Sequence, residues 1–80
     1  MRTAPILNDI LKELERAEKL HPDWPTDTIH QMSIVSEECG EATQAANNHV
    51  YHDQPIHNVR KELIHTGAMV VRMLKNLNHE

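Results

Sequence analysis

Thr28-Ile29-His30-Gln31-Met32-Ser33-Ile34-Val35-Ser36-Glu37-Glu38-Cys39-Gly40-Glu41-Ala42-Thr43-Gln44-Ala45-Ala46-Asn47-Asn48 is the stretch whose reading decides the fold. It holds no proline, and its apolar residues recur every three or four positions. At about 100° per residue, Ile29, Met32, Val35, Cys39, Ala42, Ala46 and Val50 form one apolar stripe. Glu38 and Glu41 fall outside it, beside Ile34 and Ala45, so the acids share a second face with small or apolar side chains. A helix with apolar groups on two faces belongs inside a bundle.

Two more helices follow from the same periodicity. Upstream, Ile6, Leu7, Ile10, Leu11, Leu14 and Ala17 predict a helix from about Pro5 to Leu20, with Thr3 as its cap, charges on its other face and His21-Pro22 as its end. His21-Pro22-Asp23-Trp24-Pro25 is a stiff connection, and Thr26 or Asp27 caps the second helix, which runs to about Asn48. His49 to Pro55 carries the second break. The third helix runs from about Pro55 to Asn78. There Ile56, Leu63, Gly67, Val70, Val71 and Leu74 make an apolar stripe, and Glu62, His65, Met69, Arg72 and Asn76 line up beside it. The expected fold is all-α: residues 1–80 form a single helical domain, a bundle of about three helices per chain completed by oligomerisation. Eighty residues bury little apolar surface alone. Gly40 and Gly67, each costing about 1 kcal/mol against Ala in mid-helix, fit close packing at those points.

Composition narrows the function. Eight basic against twelve acidic residues give a net charge of −4, which argues against nucleic-acid binding. No apolar run approaches the ~20 residues of a membrane span, and Met1-Arg2-Thr3-Ala4-Pro5 lacks a signal-peptide apolar block, so the expectation is a cytoplasmic protein with no membrane partner. The single Cys39 excludes an internal disulfide and reads as a small buried residue on the apolar stripe. The seven histidines are dispersed and read mostly as surface residues. No Walker-type loop, Ser-His-Asp arrangement or zinc-type cysteine pattern is present.

The chemistry gathers in two acidic turns. Glu37, Glu38 and Glu41 lie within one turn of each other, and Glu62 and His65 are three apart on the next helix. Carboxylates crowded in an apolar setting repel unless a cation neutralises them, which reads as a divalent-metal site. The alternative is a set of solvated glutamates chosen as good helix formers.

Ser36-Glu37-Glu38-Cys39-Gly40-Glu41-Ala42, followed by Glu62-Leu63-Ile64-His65, resembles the E-E-x-x-E … E-x-x-D signature of the MazG-like, all-α nucleoside triphosphate pyrophosphohydrolases. Twenty residues lie between Glu41 and Glu62, and Trp24-Pro25-Thr26-Asp27-Thr28-Ile29-His30 looks like the Trp and His stretch that precedes the acidic motif in that family. The resemblance spans about Trp24 to Leu77. It implies a metal-dependent hydrolase that releases a nucleoside monophosphate and pyrophosphate in nucleotide-pool housekeeping. Mg²⁺, or Mn²⁺ or another divalent metal, would be held by Glu37 or Glu38, Glu41 and Glu62, with Glu38 and Glu41 as catalytic residues.

The family's last Asp is His65 here. Imidazole suits Zn, Ni, Mn or Fe better than Mg. Either His65 ligates and shifts metal preference, or it hydrogen-bonds a metal-bound water or a phosphate, or the site has lost catalysis. For the substrate, Arg72 and Lys75 are cationic candidates alongside Arg60 and Lys61. Asn76 is a candidate donor to base or phosphate, or a cap-region residue. Trp24 stacks on a base or plugs the bundle end. His30 joins the pocket by the resemblance, or lies on the surface. The competing reading is a non-catalytic helical homodimer or homotetramer that binds nucleotide, metal or a protein partner.

Overall fold

The computed structural model describes residues 2–77 and contains three helices: α1 (Thr3–Leu20), α2 (Thr28–Tyr51) and α3 (Ile56–Leu77). There is no strand among the described residues, so the fold is an all-α bundle. The expected end of the third helix at Asn78 lies outside the described residues, as does His79.

The helix boundaries follow local chemistry. Thr3 is not a cap. It is the first residue of α1, Arg2 stands at the cap without a side-chain bond, and Pro5 sits in the first turn, where its missing N–H costs nothing. α2 starts where Asp27 accepts the His30 N–H at 2.9 Å, an aspartate cap worth about 1 kcal/mol. It runs three residues past Asn48 to Tyr51. Asp53, at φ 55°, then turns the chain so that the Gln54 N–H reaches the Asn48 carbonyl at 3.1 Å. The Gln54 carbonyl accepts from His49 Nδ1 at 2.7 Å. Aspartate is among the few non-glycine residues that enter this left-handed region readily.

α3 packs against both α1 and α2, while the backbones of α1 and α2 stay apart. The core between the three comprises Leu14 and Ala17 of α1, Val35 of α2, and Ala68 and Met69 of α3. Ile10, Trp24, Ile34, Val71 and Met73 close around it. Gly67 lets α1 approach α3: a Cβ there would stand 3.0 Å from Ile10 Cδ1. Gly40, expected to mark a second close contact, faces open space.

The larger correction concerns which faces are buried. On α2 the inward line is Gln31, Ile34, Val35, Glu38, Ala42 and Ala45, rotated roughly 90° about the axis from the apolar stripe. Of that stripe, Val35 and Ala42 are buried, but Ile29 (76 % exposed), Met32, Cys39, Ala46 and Val50 are exposed. Cys39 is therefore not a core residue. On α3, Ile56, Leu63, Val70 and Leu74 of the expected stripe face outward, its Gly67 and Val71 pack inward, and the line Glu62, His65, Met69, Arg72 and Asn76 faces in. Both helices turn a mixed polar line toward the bundle and leave an apolar one outside. Ala42, Ala45 and Ala68 are small positions on the inward lines.

Candidate metal centre

Because the polar lines turn inward, carboxylates from all three helices meet beside the core. α2 supplies Glu38 and α3 supplies Glu62 and His65. One ligand atom of each of these three side chains lies within 4.8 Å of the other two. α1 supplies Glu13, whose Oε2 is 3.6 Å from His65 Nε2. On the other edge of the ring, His65 Nδ1 is 3.7 Å from Glu62 Oε2. The side chains are largely withdrawn from water: Glu13 is 14 %, Glu62 21 % and His65 25 % exposed.

The electrostatics are those of crowded anions. Burial pushes the Glu38 carboxyl above its ordinary value, and the charges of Glu41, Glu62 and Glu13 push it further, against the pull of His65. Glu13 goes the other way. Arg16 grips both its oxygens, Nε to Oε1 at 2.8 Å and a terminal nitrogen to Oε2 at 2.6 Å. These bonds, helped by the charges of His65, Arg16 and Lys61, hold Glu13 below its ordinary value despite partial burial.

The donor set fits a small divalent cation. Glu38 Oε2 and Glu62 Oε2 are buried and have no hydrogen-bond partner within the protein. An orphaned buried oxygen is costly unless something positive satisfies it. Two carboxylates and one imidazole are the mixed hard and borderline ligands that suit Mn, Zn or Fe, and Mg less well. Donors on one ion at about 2.1 Å lie about 3–4 Å apart, so side-chain adjustments of about 1 Å bring the three together.

The other expected site residues divide. Glu41 is exposed and close enough to raise the Glu38 pKa. It lines an open groove of about 590 Å³ with Gln44, His52, Asn58, Lys61 and Glu62. Glu37 is exposed and stands outside the converging set. Trp24 and Arg72 line a second cleft, of about 310 Å³, whose walls include Glu13, Glu38 and His65. Arg72 is only 4 % exposed; its guanidinium carbon sits 4.7 Å from the Trp24 ring centroid, and it donates to the His21 carbonyl at 2.6 Å. It thus clamps the α1–α2 connection onto α3. Lys75 is paired with Glu18 at 2.9 Å, and Asn76 donates to the Arg72 carbonyl at 2.7 Å. His30 is exposed at the start of α2.

Glu13 is the residue that reading the helices separately misses, since α1's charges were expected on its outer face. A signal existed: Glu13 lies four residues before the core residue Ala17 and three after Ile10, which packs against the core. No family model matches the chain, and neither a curated protein nor a solved structure matches it.

Proposed function

We propose that the chain is a metal-dependent nucleoside triphosphate pyrophosphohydrolase, releasing a nucleoside monophosphate and pyrophosphate. The observation that carries this reading is the convergence of Glu38, Glu62 and His65 around two orphaned carboxylate oxygens, at the edge of a cleft of about 310 Å³. The likeness of Ser36–Ala42 and Glu62–His65 to the MazG-type signature points the same way. A divalent ion held there would neutralise charge on triphosphate oxygens and lower the pKa of a bound water. Glu38, Glu62 and His65 would hold it, with Glu41 on the groove side, where incoming phosphates would meet the exposed Lys61. Glu41, the other carboxylate that the resemblance makes catalytic, is exposed beside the converging set and free to take the proton from the attacking water. Trp24 and Arg72 form the cleft wall against which base and sugar rest.

The outward stripes favour self-association as part of the same reading. Met32 of α2 shares an apolar groove with Val70, Met73, Leu74 and Leu77 of α3, so the two stripes are continuous. A second copy covers that face in a homodimer or homotetramer. If the site is inert, this assembly is what remains: a non-catalytic helical oligomer.

Pyrophosphate release from a panel of canonical and modified (d)NTPs, in Mg²⁺ and in Mn²⁺, tests the reaction. Turnover that Glu38→Gln abolishes is the expected result. Equal rates in the two proteins, or none from the folded wild type in either metal, would overturn it.

A further inference from the structure

The two ring nitrogens of His65 face different carboxylates on different helices. Nδ1 looks toward Glu62, whose Oε2 is one of the orphaned oxygens. Nε2 looks toward Glu13, which stands outside the set of converging ligand atoms. Glu13 itself accepts two bonds from Arg16, one turn further along α1. A chain of contacts therefore runs Arg16, Glu13, His65, Glu62, crossing from α1 to α3. Metal-ligating histidines almost always give their second ring N–H to a carboxylate, carbonyl or water, which fixes the tautomer and raises the basicity of the ligating nitrogen.

We infer that Glu13 is a positioning residue that holds His65 as a nitrogen ligand, with Nε2 protonated toward Glu13 and Nδ1 directed at a divalent ion shared with Glu38 and Glu62. The inference rests on the metal-site reading and deepens it, because it assigns metal preference. The present 3.6 Å is an ion-pair distance, and a movement of about 0.6 Å converts it into a hydrogen bond. With an imidazole fixed in the ligand set, the site favours Zn²⁺, Mn²⁺ or Co²⁺ over Mg²⁺. The Arg16 bonds suit Glu13 to the role: they keep it ionised and so an acceptor for the ring N–H.

The test is zinc titration of the histidine-labelled protein, read by nitrogen–proton correlation spectra, with His65→Ala to identify the His65 signals. The expected result is one His65 tautomer, protonated on Nε2, whose Nδ1 resonance moves on adding Zn²⁺. Glu13→Ala weakens Zn²⁺ binding about ten- to a hundred-fold, weakens Mg²⁺ binding less, and mixes the tautomers. Glu13→Gln, which keeps an acceptor oxygen, recovers part of the affinity. Zinc binding that depends on Glu38 but leaves His65 Nδ1 unmoved, or that Glu13→Ala leaves unchanged, overturns the positioning role while the metal site stands. Zinc binding that is absent, or indifferent to Glu38→Gln, overturns both.

Discussion

Two mid-helix glycines offer the same substitution in opposite surroundings, and the contrast between them tests how the helices close. Gly40→Ala adds a methyl group where nothing lies within 4 Å. The change keeps the helix and removes glycine's conformational penalty, a gain of about 0.8–1 kcal/mol. Unfolding entropy for eighty residues at ~2.1 cal/mol/K each is about 170 cal/mol/K, so the midpoint rises about 5–6 °C. At Gly67 the same methyl meets Ile10, at 3.0 Å from Cδ1 and 3.3 Å from Cγ1. Ile10 must withdraw by a few tenths of an ångström. An off-rotamer isoleucine costs about 0.5–1.5 kcal/mol, which offsets the propensity gain and leaves Gly67→Ala within about 0.5 kcal/mol of wild type. Thermal unfolding followed by circular dichroism, at a concentration where the association state is constant, should separate the two variants by about 1 kcal/mol. If Gly67→Ala gains as much as Gly40→Ala, α1 does not close on α3 at Ile10. If Gly40→Ala destabilises instead, something packs against that open face of α2.

Further expectations concern charge, clamp and surface. Glu13, held below the usual carboxyl value of 4.5, stabilises the fold above that pH and loses the contribution as pH falls through its folded value. Glu13→Gln should therefore lower the metal-free midpoint at pH 7 and change it little in strong acid. Glu38, held above 4.5, has the opposite sign: its penalty on the fold is absent below 4.5, builds as pH rises toward the folded value and is complete above it. Glu38→Gln should raise the metal-free midpoint at pH 7, have a smaller effect at pH 4, and remove the stabilisation that divalent ions give the wild type; a pH series of midpoints for both variants checks the crossover. Arg72→Ala deletes a buried charged donor and its stack on Trp24, and urea titration should show a loss of about 2–4 kcal/mol, with a value below 1 denying the clamp. Leu74→Lys, on the outward stripe, should lower the mass measured by sedimentation while keeping helicity; an unchanged mass would mean that the stripe is not the contact between copies.

Helix existence and type were plain in the chain, because apolar spacing of three and four, the Asp27 cap and the prolines at 22, 25 and 55 are local signals. The pairing of faces was not. An apolar stripe shows that a helix needs cover, but it does not say whether its own chain or another supplies it. Ile29, Val50, Leu63 and Leu74 match a core pattern by spacing and lie exposed, whereas Glu38, Glu62 and Arg72 lie on the inward lines. The acidic turns were visible from spacing and composition. Which acids converge depends on helix rotation, so Glu38 and Glu62 meet His65 while Glu37 is exposed outside that set. Glu13 belongs to a helix that neither acidic motif includes, and only the packing of α1 on α3 brings it to His65.

The central claim is that Glu38, Glu62 and His65 hold one divalent ion, and the most direct measurement is the anomalous scattering of Mn²⁺ in crystals grown with that ion. The account predicts a single strong peak about 2.0–2.2 Å from a carboxylate oxygen of Glu38, a carboxylate oxygen of Glu62 and Nδ1 of His65. A peak held elsewhere, or well-ordered side chains around no peak at saturating Mn²⁺, would contradict it.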